Sequence, residues 1–405
     1  MIQKCIESAT EAHAFEGRLI LTLAAYFPDS YGGAERQAKI LAEALGRKGI
    51  DVTLVAPTID PDVALNEQTD FGRIIRKRLA AYPNFGGKHM LSFLRWTYWF
   101  PKRFASAEWR GVPIYCFHSR LHALGPALCA EKLGSPLLIK LGGGGEASEF
   151  DALRTKKFFY GRWVERFLRK RVDAFVANSQ EIALELRDLG ISEEKIAEFP
   201  NGVALPGEDA LSEAMSLRIG NAFSYAGRLI TDKSVDVLYD AACLLFNSGE
   251  TDFKLELIGT GAEKDRIEAE IQGTEISACI NLPGFATDIY EAYKQADFFV
   301  CASRREGQSN ALLEAMSIGL IPIVFAASGV EEVVEDGLNG YLVKECTPAA
   351  FLEKMRMVLS MSAEQRREMS AAARQFAEDN ISIDAVALRT IDAIKACQAR
   401  RTSTR

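Results

Sequence analysis

No stretch of the 405 residues reaches the ~20 uninterrupted apolar residues of a membrane span, which argues against a helical membrane protein. The first residues, MIQKCIESATEAHAFEG, hold acidic side chains and no apolar core segment, so no secretory signal is expected. Histidine is scarce: four, at 13, 89, 118 and 122, form no ligand cluster, and no metal site is expected. The eight cysteines include no CxxC pair, and several sit inside apolar runs. They read as reduced core residues of a cytoplasmic protein. Neither GxGxxG nor the Gly-Lys-Ser/Thr of a P-loop is present, which disfavours a dinucleotide enzyme and a P-loop NTPase.

What is present is apolar content of 48%, enough in a chain of this length for two or three cores. The net charge of −7 divides unevenly. Residues 1–200 carry 28 Lys and Arg against 24 Asp and Glu, a net of +4; residues 201–405 carry 20 against 31, a net of −11. Two domains with different neighbours are expected.

In the first half, Arg18–Phe27 reads as a strand, Pro28–Gly33 as a loop, Ala34–Lys48 as a helix and Ile50–Ala56 as the next strand, which together make a βαβ unit. Gly32 and Gly33 let backbone approach a ligand and free N–H groups at the helix start. Val112–Phe117 and Pro136–Leu141 read as further strands. His118 directly follows the first, placed either to meet an acceptor or phosphate or as a satisfied structural residue. Gly142–Gly145 follows the second. Arg171–Asn178 is a strand, Ser179 caps a helix, and Lys195–Phe199 is a short strand before Pro200-Asn201-Gly202-Val203. The polar stretch from Pro206 to Gly220 reads as a linker. This gives a domain of residues 1–203 and another of 204–383, with a helix near 384–400.

Two segments break the alternation. Residues 71–110 hold nine Lys and Arg against Glu108 alone, and Arg154–Arg171 holds eight against one acid, both interleaved with aromatics. Such segments suit peripheral contact with an anionic membrane. The competing reading is a solvated helix face with its aromatics in the core. Nucleic acid is disfavoured by the acidic chain and the lack of a recognition motif.

The second half alternates cleanly. Asn221–Ala226 is a strand, followed by Gly227-Arg228-Leu229, Thr231-Asp232-Lys233 and a helix over Ser234–Asn247. Phe253–Ile258 runs into Gly259-Thr260-Gly261, which reads as a turn beside a phosphate. Ile276–Leu282, Asp297–Ala302, Ile321–Phe325 and Tyr341–Val343 read as strands, with a helix from Gly329 before the last. Alternating βα units predict an α/β fold with open parallel sheets. After Asp297–Ala302 the chain reads SRREGQSNALLEAMSIGLIP, where a strand end feeds a helix opened by Asn310. Such a junction favours an anion. Glu306 and Glu314, eight residues apart, either face one ligand from its two ends or are ordinary surface charges. Arg228 and Lys233 in a neighbouring loop suit a diphosphate. Two cations, two carboxylates and helix N-termini describe a sugar-nucleotide site.

GGAER, FPNGV, GRLxxxK, LxLIGTG, LPGF, ADFFVCAS, the E-x7-E pair and SGVEEVVEDGLNGYLV occur in that order. The series resembles the retaining glycosyltransferases of the GT-B fold, of the family 4 or group 1 type, over nearly the whole chain. The resemblance implies two doubly wound Rossmann-like domains facing each other across a cleft. It implies an enzyme that moves a sugar from a nucleotide-diphosphate sugar to a glycan or lipid-linked acceptor, in polysaccharide or glycolipid synthesis, without cofactor or metal. A sugar-nucleotide epimerase of the same fold, or a non-catalytic sugar-nucleotide-binding subunit, is the alternative.

In the resemblance Glu306 contacts the donor sugar, Glu314 the ribose hydroxyls, and Arg228 and Lys233 the leaving diphosphate. Gly227 and the stretch Gly307, Gln308, Ser309 and Asn310 complete the donor side. Gly32 and Gly33 match the loop over the diphosphate or acceptor, and the helix near 384–400 returns to the first domain. Localisation is expected to be cytoplasmic, with peripheral contact at the inner membrane face. Two positions depart from the pattern. The histidine-glycine pair that many relatives carry after the strand ending at Leu141 is missing, which leaves His118 as the nearby candidate. Ser234 stands where many relatives have glycine.

Overall fold

The structure, a computed structural model, describes residues 17–83, 89–143, 148–155, 160–218, 220–304, 308–327 and 329–403. It is α/β, with two sheets. The strands of the first are β1 (Arg18–Thr22), β2 (Asp51–Thr58), β3 (Asn66–Thr69), β4 (Gly72–Arg78), β5 (Ile114–Phe117), β6 (Leu137–Lys140), β7 (Ala174–Ala177) and β8 (Ile196–Glu198). Their order is β3-β4-β2-β1-β5-β6-β7-β8. The pairs β1–β2, β1–β5, β2–β4 and β5–β6 are parallel, and β3–β4 is an antiparallel edge. The helices up to the second sheet are α1 (Gly33–Arg47), α2 (Met90–Arg103), α3 (Leu124–Leu133), α4 (Glu149–Arg154), α5 (Tyr160–Arg171), α6 (Gln180–Asp188) and α7 (Glu208–Leu217), the last of which packs through Ala214 on the core of the second sheet.

The second sheet holds β9 (Ala222–Ala226), β10 (Lys254–Ile258), β11 (Ile280–Gly284), β12 (Phe298–Cys301), β13 (Ile321–Phe325) and β14 (Tyr341–Val343), in the order β11-β10-β9-β12-β13-β14. Its pairs are all parallel. Its helices are α8 (Val235–Asn247), α9 (Ala262–Ile271), α10 (Ile289–Tyr293), α11 (Asn310–Ser317), α12 (Pro348–Leu359) and α13 (Ala363–Phe376), and α14 (Ile383–Ser403) ends the chain. Each strand order reverses once, between β1 and β5 in the first sheet and between β9 and β12 in the second. Ligands of open parallel sheets bind outside the carboxyl ends of the strands at such reversals.

Compactness divides the chain into one unit of residues 1–140, 150–175 and 387–405 and another of 141–149 and 176–386. Within the first unit, Arg401 Nε donates to Asp173 Oδ1 at 2.9 Å and Arg400 donates to the Asp173 carbonyl at 3.1 Å, which fixes the end of α14.

Several expectations need correction. The 206–220 stretch is not a plain linker but contains α7, because EDALSEAMSL is rich in helix formers and places Glu208 and Asp209 in the first turn. The strand expected over Arg18–Phe27 ends at Thr22, where the chain turns toward Pro28. No helix starts at Gly329. Its valines, Val330, Val333 and Val334, are buried in a turn that Gly337 closes at φ +81°. Residues 275–278 form a 3-10 turn, so β11 begins at Ile280.

Several aromatics of the first basic segment are core residues. Phe93, Trp96, Phe100, Phe104 and Trp109 are buried, and each such side chain contributes roughly 1.5–3 kcal/mol. Helical spacing serves both α2 faces at once: Leu91, Leu94, Arg95, Tyr98 and Lys102 line its exposed side. On α5, exposed Trp163 stacks on Phe167 at 5.6 Å beside exposed Arg162, Arg166 and Lys170. Phe85, Phe158 and Phe159 lie outside the described residues. The seven described cysteines are free. Among the described residues no helix is long and apolar enough to cross a membrane.

Candidate functional site

In the second unit the reversal between β9 and β12 brings two loops together. The first, Gly227–Ser234, leaves β9. Its backbone is held by four hydrogen bonds: Gly227 N to Ile258 O at 3.0 Å, Leu229 N to Thr260 O at 2.9 Å, Glu263 N to Leu229 O at 3.0 Å, and Tyr225 Oη to Arg228 O at 3.1 Å. The Gly259-Thr260-Gly261 turn is the brace. A Cβ on Gly259 would stand 1.8 Å from the Gly227 carbonyl oxygen, and one on Gly261 2.1 Å from that of Leu229. Both glycines have φ well above zero, +143° and +152°. The turn is also the backbone brace of the cationic loop. The Arg228 side chain is exposed, and Leu229 is buried beside it.

Lys233 turns back toward the second loop, with Nζ 3.5 Å from Oγ of Ser303 at the end of β12. Ser303 itself is buried. Ser234, for which the resemblance implies glycine, has φ 50° and ψ 39° and starts α8 without a side-chain cap. That left-handed backbone is why glycine suits the position. Ser234→Val is expected to lower stability by more than about 1 kcal/mol, since a β-branched side chain fits this conformation poorly, whereas Ser234→Gly keeps or raises it. Denaturant unfolding of the two variants checks this; equal stability of valine and glycine would refute it.

Glu306 and Gly307 lie outside the described residues. Beyond them the second loop runs through Gln308 into α11, where the Ser309 hydroxyl accepts from Leu312 N at 3.4 Å and leaves the first-turn amides pointing out of the helix end. Gln308 and Asn310 are tied to the FPNGV segment. Asn201 N donates to Gln308 Oε1 at 2.5 Å, and Asn201 Nδ2 donates to Asn310 Oδ1 at 3.0 Å. Asn178 in turn donates to Asn201 Oδ1 at 3.3 Å. Glu314 stands half-buried one turn inside α11. Arg228, Lys233, Gln308, Ser309 and Asn310 therefore share the carboxyl side of one sheet reversal. Sequence reasoning gave no role to Asn201, Ser303 or Tyr225; the first is visible only as part of FPNGV, the second only as the end of ADFFVCAS, and the third carries no signal.

The first unit has its own reversal. Gly32 is the N-cap of α1 with extended backbone, and Gly33 begins the helix. His118 follows β5 at φ 70°, and its amide donates to the Lys140 carbonyl at 2.7 Å. The glycine run expected to meet a ligand belongs to the second unit and is described as far as Gly143, and Gly142 N donates to Glu149 Oε1 at 3.2 Å.

A model of group 1 glycosyl transferases matches residues 220–376, and one of glycosyltransferase family 4 matches residues 31–205. The chain belongs to these glycosyltransferase families. This glycosyltransferase is 26% identical over 254 residues to an uncharacterized glycosyltransferase of Methanocaldococcus jannaschii, covering 62% of this chain and 66% of that protein. It is 26% identical over 211 residues to the UDP-Gal:alpha-D-GlcNAc-diphosphoundecaprenol alpha-1,3-galactosyltransferase of Escherichia coli, covering 49% and 54%. The chain thus spans between about half and two thirds of these relatives' lengths. Among solved structures it is similar to a sucrose-phosphate synthase of Thermosynechococcus elongatus, with TM-score 0.74, 20% identity and coverage of 95% of this chain and 100% of the other. It is also similar to Anabaena HepE crystallised with UDP and glucose, with TM-score 0.69, 16% identity and coverage of 93% and 99%. The fold is GT-B.

Proposed function

We propose that the protein is a retaining hexosyl- or N-acetylhexosaminyl-transferase that takes the sugar of a nucleotide-diphosphate donor to a saccharide or lipid-linked acceptor. The observation that carries this is the backbone-braced Gly227–Leu229 loop, which presents Arg228 at the β9–β12 reversal with Lys233 beside it and the N-terminus of α11 across from it. Transfer builds positive charge on the sugar ring and negative charge on the departing diphosphate. Fixed cations and free amides placed for the second charge stabilise it without reorganisation. Glu306 takes the sugar side and Glu314 the ribose hydroxyls. The leaving phosphate assists deprotonation of the acceptor on the same face, which retains anomeric configuration, and no metal takes part. The names of the Escherichia coli relative and of the Anabaena complex support a uridine donor and, in the former, a diphosphate-lipid acceptor.

A screen of nucleotide sugars by thermal shift is expected to find at least one that raises the unfolding midpoint, because a ligand that binds only the folded chain stabilises it. NMR of the product from that donor should show retention, and dialysis against EDTA should leave the rate unchanged. Inversion at the anomeric carbon defeats the mechanism. Isomerised sugar from donor alone would support an epimerase instead.

A second reading concerns the acceptor's setting. The exposed sides of α2 and α5 combine Leu91, Leu94, Tyr98 and Trp163 with six or more cations, which is the composition of an interfacial surface on anionic lipid at the inner membrane face. Flotation with phosphatidylglycerol liposomes should carry the protein upward, and Leu94→Glu combined with Trp163→Glu should abolish it. Equal flotation of the double variant would sink this reading.

A further inference from the structure

Lys140 is the last residue of β6, one strand beyond the β1–β5 reversal, and only 5% of it is exposed. Its register partner is Phe117, so the two side chains share a face of the sheet, and Nζ lies 6.0 Å from the Phe117 ring centroid. Tyr115, two residues earlier, shares that face, with its ring 5.5 Å from that of Phe117. Among the described residues no carboxylate pairs with this ammonium and no hydrogen bond holds it. Burial alone pushes its pKa down to about 7.

A lysine kept for packing alone would be a poor choice here. It follows Leu137, Leu138 and Ile139, all fully buried, and an apolar side chain would complete that strand without the cost of an unpaired buried charge. The position is also the wrong one for a surface charge. It is a strand's carboxyl end beside a reversal, where ligands bind. The neighbouring strand end is held in place, because the His118 amide donates to the Lys140 carbonyl at 2.7 Å. The donor's diphosphate already has Arg228 and Lys233 in the second unit. The first unit's cation is thus available for the other substrate.

We propose that Lys140 binds an anionic group, a carboxylate or a phosphate, on the acceptor saccharide. This rests on the transferase reading above and names the chemical class of its acceptor. An anion there gives the ammonium a charge-assisted hydrogen bond.

The experiment measures binding of three probes to the full chain saturated with UDP, by ligand-observed NMR titration: methyl β-D-glucuronide, methyl β-D-glucoside 6-phosphate and neutral methyl β-D-glucoside. In the wild type at least one charged probe should bind about tenfold or more tightly than the neutral one, the scale of a charge-assisted hydrogen bond. Which charged probe does so distinguishes carboxylate from phosphate. Lys140→Met should remove the preference while UDP binding stays as in the wild type. Lys140→Gln, which keeps length and polarity without charge, serves the same comparison if the methionine variant folds poorly. Equal or unmeasurable binding of all three probes to the wild type overturns the proposal, as does a preference that survives both substitutions. Failure of the wild type to bind UDP or any nucleotide sugar would instead defeat the transferase reading.

Discussion

Arg228→Ala lowers the rate of sugar transfer by about 10²–10³-fold, the usual loss when one donor to a developing anion is removed. The side chain is exposed and its loop is held through main-chain atoms, so the substitution takes nothing from the fold. The melting midpoint of the variant should match that of the wild type, while kcat falls more than the donor KM rises. Arg228→Lys should recover part of the loss, because a point charge replaces a planar fork that can grip two phosphate oxygens. Glu306→Gln should cost a comparable amount if it supports the charge on the sugar ring. Measuring initial rates with any accepted donor decides the matter. Wild-type turnover in the alanine variant would remove Arg228 from the site.

The second large effect comes from a residue that touches no substrate. Gly259→Ala places a methyl group 1.8 Å from the Gly227 carbonyl oxygen at φ +143°, and the obstacle is backbone that cannot step aside cheaply. The variant is expected to lose about 3 kcal/mol or more, the upper range for a strained backbone with an added clash. The more telling result is functional: relief of the clash moves the Gly227–Leu229 segment and with it Arg228. Nucleotide binding should therefore weaken even well below the melting transition. Isothermal titration with UDP at low temperature tests this, and unchanged affinity in a destabilised variant would show that the brace serves folding alone.

How much of this was legible beforehand depends on what each residue signals locally. Strand and helix alternation from Asn221 onward was readable because β9 through α11 carry buried apolar runs closed by glycine or a cap. The cationic pair and the loop into α11 followed from the same punctuation. The Pro206–Gly220 stretch looked like a linker because its charges hid the helix formers of α7. The basic aromatic segments were legible only in composition, for a related reason. In α2, Trp96 and Phe100 face the core while Tyr98 and Lys102 face out, and composition sums both faces. The left-handed backbone at Ser234 was hinted at only by the resemblance, which has glycine there; the serine itself signals nothing. Lys140 was passed over as one charge inside an apolar strand. Its meaning lies in the lack of a partner among the described residues, which only the folded chain reveals.

The first unit draws its residues from three separate stretches, the last of them in α14, whose Arg400 and Arg401 hold Asp173. A growing polypeptide emerges from the ribosome in order. The strands around β1 and β5 therefore wait for the whole second unit to be synthesised before α14 can dock. The half of the protein that is translated first is completed last, and for that interval it leaves uncovered the apolar surface that Ala387, Ile391 and Ile394 will seal. A release of the chain some fifteen residues early would spare the donor loops and leave the other half unfinished.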